Sequence, residues 1–251
     1  MREKIEYKGA RELERIRAAG IIVAETLELM RAHAQPGVTT RQLDALAEEY
    51  IRSRGGQPSF KHYRNYPATL CVAVNDVVVH GIPNDEPLRD GDIVAIDVGV
   101  KLDGWHGDAT ITVPVGEIDA ESQRLMDVCK EALDIGIATA QSGAKLSDIS
   151  YAIEQHVNAA GFAVVRDLFG HGIGRRLHEP PSLPHYGPPG EGPTLRPGLV
   201  ITIEPMIVAG SPRVNVLSDG WTIITADGKR SAQFEHTVAI TSNGPRVLTS
   251  L

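Results

Sequence analysis

The sequence predicts an α+β fold made of two related α/β halves, and three observations carry that prediction. The order helix, helix, short strands occurs once and then recurs. A similarity without gaps links segment 35–55 to 141–161, and acidic residues further on fall at equivalent places in both runs. A repeat of roughly a hundred residues is too long for a solenoid unit and suits two halves of one domain related by a pseudo-two-fold axis. The domain is expected to cover residues 1–251, with the copies at 10–115 and 120–245.

Residues 10–33 place Leu13, Ile16, Val23, Leu27 and Met30 at helical spacing, and Gln35-Pro36-Gly37 ends the run. A second helix starts at the cap-forming pair Thr39-Thr40, turns Leu43, Leu46, Ala47, Tyr50 and Ile51 inward, and stops at Gly55-Gly56. Runs rich in β-branched residues then predict strands over 69–74, 77–80, 93–100 and 110–115. Segment 35–55 aligns on 141–161, so that Gln35, Gly37, Glu48 and Gly55 meet Gln141, Gly143, Glu154 and Gly161. Leu43 and Ile51 meet Ile149 and Val157. One residue further out of step, the run from Gly91 to Asp97 falls on Gly198 to Glu204. Asp108-Ala109-Thr110-Ile111 matches Glu235-His236-Thr237-Val238.

Asp97 therefore lands on Glu204, and Asp108 on Glu235, so each half contributes two acids facing the axis. Asp97 and Asp108 flank the turn signal Asp103-Gly104, and in the simplest hairpin they sit directly opposite each other on one face. Cross-strand neighbours stand ~4.5–5.5 Å apart, where like charges destabilise a bare sheet and a bridging cation reverses the sign. By the same reasoning, Trp221 and Glu235 flank Asp227-Gly228, which predicts an indole beside the carboxylates. His171, within Gly170-His171-Gly172-Ile173-Gly174, adds a fifth donor without a counterpart in the first half. Taken singly, an acid at a strand end reads as a solvated cap and a histidine among glycines as a turn residue. Their joint placement by the repeat reads as a dinuclear metal site.

The formal charge of −7 excludes a general nucleic-acid or membrane-surface binder. Two cysteines far apart, Cys71 and Cys129, make no disulfide framework and point to a reducing compartment. Met1 to Arg17 is dense with charge and lacks an apolar signal core, and no run approaches the ~18 apolar residues of a membrane span. A cytoplasmic protein is expected.

Several motifs carry a family likeness. Val79-His80-Gly81-Ile82-Pro83, Ile96-Asp97-Val98, His106-Gly107-Asp108, the Gly170 to Gly174 run, His178-Glu179, Ile203-Glu204-Pro205 and Gln233-Phe234-Glu235-His236-Thr237 resemble type I methionine aminopeptidases of the short bacterial form, as does Asp219-Gly220-Trp221. The likeness runs from the first helix nearly to the last residue. It implies the pita-bread fold, with a curved antiparallel sheet at its centre, and removal of initiator methionine from nascent polypeptides when the second residue is small.

The resemblance also implies roles. Asp97, Asp108, His171, Glu204 and Glu235 would hold two divalent ions, with Asp108 and Glu235 bridging. Such a donor set accepts cobalt, manganese, iron or zinc. Glu204 would pass a proton from the attacking water to the leaving amine, and His80 and His178 would be the other catalytic side chains. Phe60, Tyr63, Tyr66, Cys71, Leu177 and Trp221, together with His80 and His178, would bind the substrate and line the methionine pocket. Phe60 stands where the family often has cysteine and Leu177 where it often has an aromatic residue, which bears on pocket width. Arg175-Arg176 reads as a solvated basic pair, and the stretch from Pro180 to Pro193 as a connecting loop. The expected partners are N-terminal methionine peptides, with the ribosome as a candidate docking partner, and neither DNA nor membrane; the chain is expected to be a monomer. Two other readings are a proline-directed dipeptidase on the same fold and a catalytically dead peptide- or RNA-binding module.

Overall fold

Helix caps and strand turns place the elements almost where the sequence puts them. In the computed structural model, which describes residues 4–251, the first half runs α1 (Ala10–His33), α2 (Thr40–Ser53), β1 (Gln57–Pro58), a 3-10 turn (Tyr63–Asn65), β2 (Leu70–Val74), β3 (Val77–Val79), β4 (Ile93–Leu102) and β5 (Trp105–Pro114). The second runs α3 (Ala120–Thr139), α4 (Leu146–Ala159), β6 (Ala163–Val164), β7 (Gly170–Gly172), β8 (Glu179–Leu183), β9 (Val200–Ile203), β10 (Met206–Val208), β11 (Val214–Val216), β12 (Ile223–Thr225), β13 (Ser231–Gln233), β14 (His236–Thr241) and β15 (Gly244–Val247). Met1, Arg2 and Glu3, the start of the charge-dense N-terminal segment, lie outside the described residues.

The repeat has a local physical basis. Thr39 caps α2, its hydroxyl accepting from the Gln42 N–H while the Gln42 side chain accepts from the Thr39 N–H. The α4 start is held the same way on one side, the Asp148 carboxylate accepting from the Lys145 N–H. Both helices are 14 residues long and end at glycines, Gly55 and Gly161, with φ of 78° and 79°, a conformation that costs a residue with a Cβ. The Gly37 N–H donates to the Leu88 carbonyl at 2.8 Å, and Gly143 repeats that bond to Leu195 at 2.9 Å.

Sheet pairing is antiparallel throughout. β4 lies between β2 and β5 and also pairs with β1. The second half orders its largest sheet β15-β14-β9-β7-β8 and a smaller one β13-β10-β6, while the sheet β11-β12-β3 takes its last strand from the first half. The halves join where β5 meets the 233–237 segment. Thr110 and Glu235 exchange backbone hydrogen bonds, the Thr112 hydroxyl serves the Gln233 backbone, and the Thr237 hydroxyl serves the Asp108 backbone. α1 packs on β4 and β5, and α3 on β9, β10 and β13. Ile16, Val23, Leu27, Met30, Leu43 and Ile51 are all buried, as the helical spacing predicts.

Three expectations change. The β4–β5 hairpin closes with Leu102 opposite Trp105, and both central residues, Asp103 and Gly104, have positive φ, as a two-residue type I′ turn requires. The centre of symmetry thus sits one residue beyond the expected point, and β5 begins at Trp105 rather than near Thr110. Asp97 faces Thr110, and Asp108 faces Gly99, so the two acids are diagonal neighbours on one face rather than directly opposed. Asp227-Gly228 does not close a hairpin around Trp221 and Glu235, because β12 pairs with β11 and β3 while β13 pairs with β10. The turn before β12 closes earlier, with the Leu217 N–H on the Thr222 carbonyl. The stretch after His178 opens as strand β8, whose prolines are tolerated because it is an edge strand paired only to β7. Among the described residues no helix is long and apolar enough to cross a membrane.

One close approach supports the hairpin from behind. A Cβ at Gly107 of β5 would stand 2.9 Å from the Gly20 nitrogen in α1, and a Cβ at Gly20 would run into the Leu248 carbonyl oxygen. In an ordinary helix interior Gly→Ala gains ~0.5–1 kcal/mol. Here the clash with backbone reverses the sign, so Gly20→Ala is expected to destabilise by ~1–3 kcal/mol. Thermal melts check this; a raised melting temperature would show that α1 can move off the sheet freely.

Candidate metal centre

The alternation of side chains along strands brings five donors to one cavity. Asp97 comes from β4, Asp108 from β5, His171 from β7, Glu204 from the end of β9 and Glu235 from the start of β14. Ligand atoms of Asp108, His171 and Glu235 all lie within 4.8 Å of one another. His171 Nε2 is 4.0 Å from Asp108 Oδ2 and 3.8 Å from Glu204 Oε1. His171 Nδ1 lies 2.9 Å from the Gly172 carbonyl, which can only accept, so the ring proton sits on Nδ1 and the Nε2 lone pair faces the acids. Burial lowers the His171 pKa to about 4, which keeps the ring neutral and available as a ligand.

The electrostatics of the bare cluster are unfavourable. Burial raises the pKa of all four carboxyl groups, and at Asp108 and Glu235 the neighbouring carboxylates push it well above the ordinary range. Asp97 Oδ1 and Asp108 Oδ1 are buried without any hydrogen-bond partner. Buried polar atoms of this kind are normally satisfied, and oxygens left open toward a common point fit cation ligands. Fully ionised, the four acids carry four negative charges, the charge that two divalent cations balance.

Further side chains hold the ligands. The Thr110 hydroxyl donates to Glu235 Oε2 at 2.8 Å and the Thr202 hydroxyl to Glu204 Oε1 at 2.6 Å. The Thr202 hydroxyl also accepts from the His171 N–H, and His185 Nε2 accepts from the Glu204 N–H at 3.0 Å. Sequence reasoning passed over all three. Thr110 and Thr202 carried a signal, since each stands two residues from an acid on the same strand face; His185, in a loop far from any motif, carried none. By strand register, the first-half position equivalent to His171 is Ala73, opposite Ala95. That is why the histidine has no counterpart.

The expected pocket residues line this same cavity of about 180 Å³: Phe60, Tyr63, Tyr66, Cys71, His80, Leu177, His178 and Trp221. Drug-sized ligands occupy ~300–1,000 Å³, so this space suits one side chain and the bond beside it. Tyr66 and Trp221 meet edge to face at 5.1 Å, with the Tyr66 hydroxyl on the Leu70 and Gly81 carbonyls. Cys71 lies opposite Asp97 in the β2–β4 register, and burial followed by that carboxylate raises its thiol pKa well above normal, which leaves it an inert wall. His80 adopts a left-handed backbone, uncommon outside glycine, and stands edge-on to Trp221. At the mouth, the His178 ring is 4.1 Å from that of His171, and its Nδ1 is 2.9 Å from the Tyr63 hydroxyl. Arg64, Val79, Leu168, Phe169, Met206 and Gln233 also line the cavity. Val79 and Gln233 stand inside quoted motifs though no role was read for them; no motif marked Arg64, Leu168, Phe169 or Met206, which loop and register bring in.

Residues 14–242 match the model of metallopeptidase family M24. Methionine aminopeptidase 1 of Bacillus subtilis strain 168 is 50% identical over 242 residues, which are 96% of this chain and 98% of that protein. The chain belongs to the methionine aminopeptidases of family M24. The crystal structure of the Rickettsia prowazekii methionine aminopeptidase superposes with a TM-score of 0.97 at 43% identity, covering 98% of this chain and 100% of the other. The prolidase of Pyrococcus furiosus, at 24% identity and a TM-score of 0.81 over 98% of this chain and 65% of its own, shares the fold alone. The M24 chain thus has the pita-bread fold and is a metal-dependent hydrolase, and its five buried donors fit divalent metal.

The raised carboxyl groups set the pH response of the metal-free protein. Because their folded pKa values exceed the unfolded ones, the native state holds protons that the unfolded state has released. Stability is then full below the unfolded carboxyl range and is lost as pH rises through the folded values, about 7 for Asp97 and about 8 for Glu204. Histidine titration enters only below about pH 6.5. Unfolding free energy in chelator, followed through the melting temperature, is expected to fall between about pH 6.5 and about 8.5 by up to ~1.4 kcal/mol per pH unit for each proton released, and added divalent metal is expected to flatten the slope. A flat profile in chelator would contradict the burial of these acids.

Proposed function

We propose that this enzyme removes the initiator methionine from new polypeptides whose second residue is small, and that both halves of the repeat form one metallopeptidase domain for that purpose. The observation that carries the reading is the meeting of four carboxylates, Asp108 and Glu235 buried and Asp97 and Glu204 half-buried, and one neutral imidazole in a cavity sized for one side chain. Asp97, Asp108, His171, Glu204 and Glu235 are assigned as the ligands of two divalent ions, which when bound supply a water nucleophile near neutral pH and polarise the scissile carbonyl.

The chain's own residues do the rest. Glu204 accepts the proton of the attacking water and passes it to the leaving amine. His178 has Nδ1 engaged by Tyr63, which leaves Nε2 to donate to the carbonyl oxygen as it gains charge. Burial lowers the His80 pKa, so a neutral ring stands near the departing nitrogen. Phe60, Tyr66, Cys71, Leu177 and Trp221 supply the apolar walls that a thioether side chain prefers. Two free, buried cysteines suit a reducing compartment. We place the enzyme in the cytoplasm, as a monomer acting on nascent chains at the ribosome.

Metal-reconstituted protein is expected to release methionine from Met-Gly-Ser, to act far more slowly on Met-Leu-Ser, and to leave Xaa-Pro peptides intact. Release from Xaa-Pro would favour a proline-directed dipeptidase, and release from none of them a binding module. His178→Ala is expected to keep its metal by elemental analysis while losing ~10²-fold or more in kcat. Loss of metal in that variant would instead make His178 a ligand.

A further inference from the structure

The segment that precedes α1 reaches across the fold to the loop carrying Leu177 and His178. Lys8 Nζ pairs with Glu179 Oε2, and the two side chains are only 4% and 2% exposed. The other lysine and arginine pairs among the described residues lie nearer the surface, none with a side chain less than 15% exposed. Burying two charges is unfavourable unless geometry rewards it, so a pair of this kind is weak evidence for a gain in stability as such.

The geometry around the pair is specific. Glu179 Oε1 accepts from the Arg176 N–H at 3.1 Å, which closes a turn over Leu177 and His178. Burial would raise the Glu179 pKa, but the bonds from Lys8 and Arg176 outweigh it and hold the group ionised. The other end of the loop is tied too, since the Gly174 carbonyl accepts from the His106 N–H at 2.9 Å and the Gly174 N–H donates to the Arg176 carbonyl. Lys8 itself is anchored by its N–H on the Gly198 carbonyl at 2.7 Å, and Lys8 Nζ also reaches the Glu6 carbonyl. A Cβ at Gly174 would stand 2.6 Å from Lys8 Cε and 2.9 Å from Glu179 Oε1. The last glycine of the Gly170 to Gly174 run thus makes the seat in which the lysine rests.

We propose that Lys8 is a positioning residue for the reaction: by pairing with Glu179 it fixes the 176–179 turn and thereby sets where His178 faces the cavity. This rests on His178 acting on the substrate, as assigned above. Lys8 touches neither substrate nor metal; it acts through the turn.

The test measures kcat, KM and metal content on Met-Gly-Ser for metal-loaded Lys8→Met and Lys8→Arg, each in the wild-type and the His178→Ala backgrounds. Misplacing a reacting group by about 1 Å can cost ~10²-fold. Lys8→Met is expected to lower kcat by ~10- to 100-fold with KM and metal content little changed, and Lys8→Arg to recover part of the rate. In the His178→Ala background the same change is expected to cost almost nothing further, because coupled residues are not additive. An equal loss in both backgrounds, or no loss in wild type, overturns the proposal. Full turnover in His178→Ala alone overturns the role of His178 instead, whatever Lys8→Met does. Should Lys8→Met fail to fold, Glu179→Gln, which retains an acceptor for the Arg176 N–H, makes the same comparison.

Discussion

Mutual repulsion among Asp97, Asp108, Glu204 and Glu235 is the constraint that the rest of the structure answers. Four acids within one buried floor would be driven apart or protonated unless cations held them, yet nearly every neighbouring element serves to keep them together. β4 and β5 fix two acids diagonally on one face, Glu204 and Glu235 stand just past the last β9–β14 pair, His236 with Ile203, and the Thr110 and Thr202 hydroxyls lock individual carboxylate oxygens. The helices press the strands from behind, and the glycine contact between α1 and β5 allows that pressing to be close. The arrangement is costly as a bare protein and favourable as a cation cage, which is the sense in which the fold is organised by a charge it does not itself carry.

Much of this was legible in the sequence, for an identifiable reason. Helix limits followed from caps and glycines, so α1 and α2 fall on the expected residues, and the acids fell at matched places because both halves repeat one strand pattern. What was misjudged depended on a single residue of register or on choice of partner. The type I′ turn at Asp103-Gly104 moved the hairpin centre by one position, and the path from Trp221 to Glu235 was misread because β12 pairs with β11 and β3, and β13 with β10, instead of with each other. His185 shows the limit most plainly. A histidine whose ring accepts the backbone N–H of Glu204 looks like any other loop residue until the chain has folded.

The two halves are alike in backbone and unlike in chemistry. The repeat supplies matched acids, but the position equivalent to His171 holds alanine in the other copy, Ala73, and the cavity wall joins Tyr66 of one half to Trp221 of the other. A symmetric pair of cations would have no reason to prefer one direction of peptide; the departures from symmetry provide that preference.

The division of ligands between the halves has a consequence for how the enzyme is made. Residues 1–115 contain only Asp97 and Asp108, and the other donors follow much later in the chain, with Glu235 the last. While the polypeptide is being synthesised, its first half can fold its hairpin around two acids but cannot complete the cage. The five-donor set proposed above is complete only once Glu235 has been translated and docked beside Thr110 of β5. The order of residues along the chain thus makes the proposed cage the joint product of both halves, with Glu235 the last donor to be made.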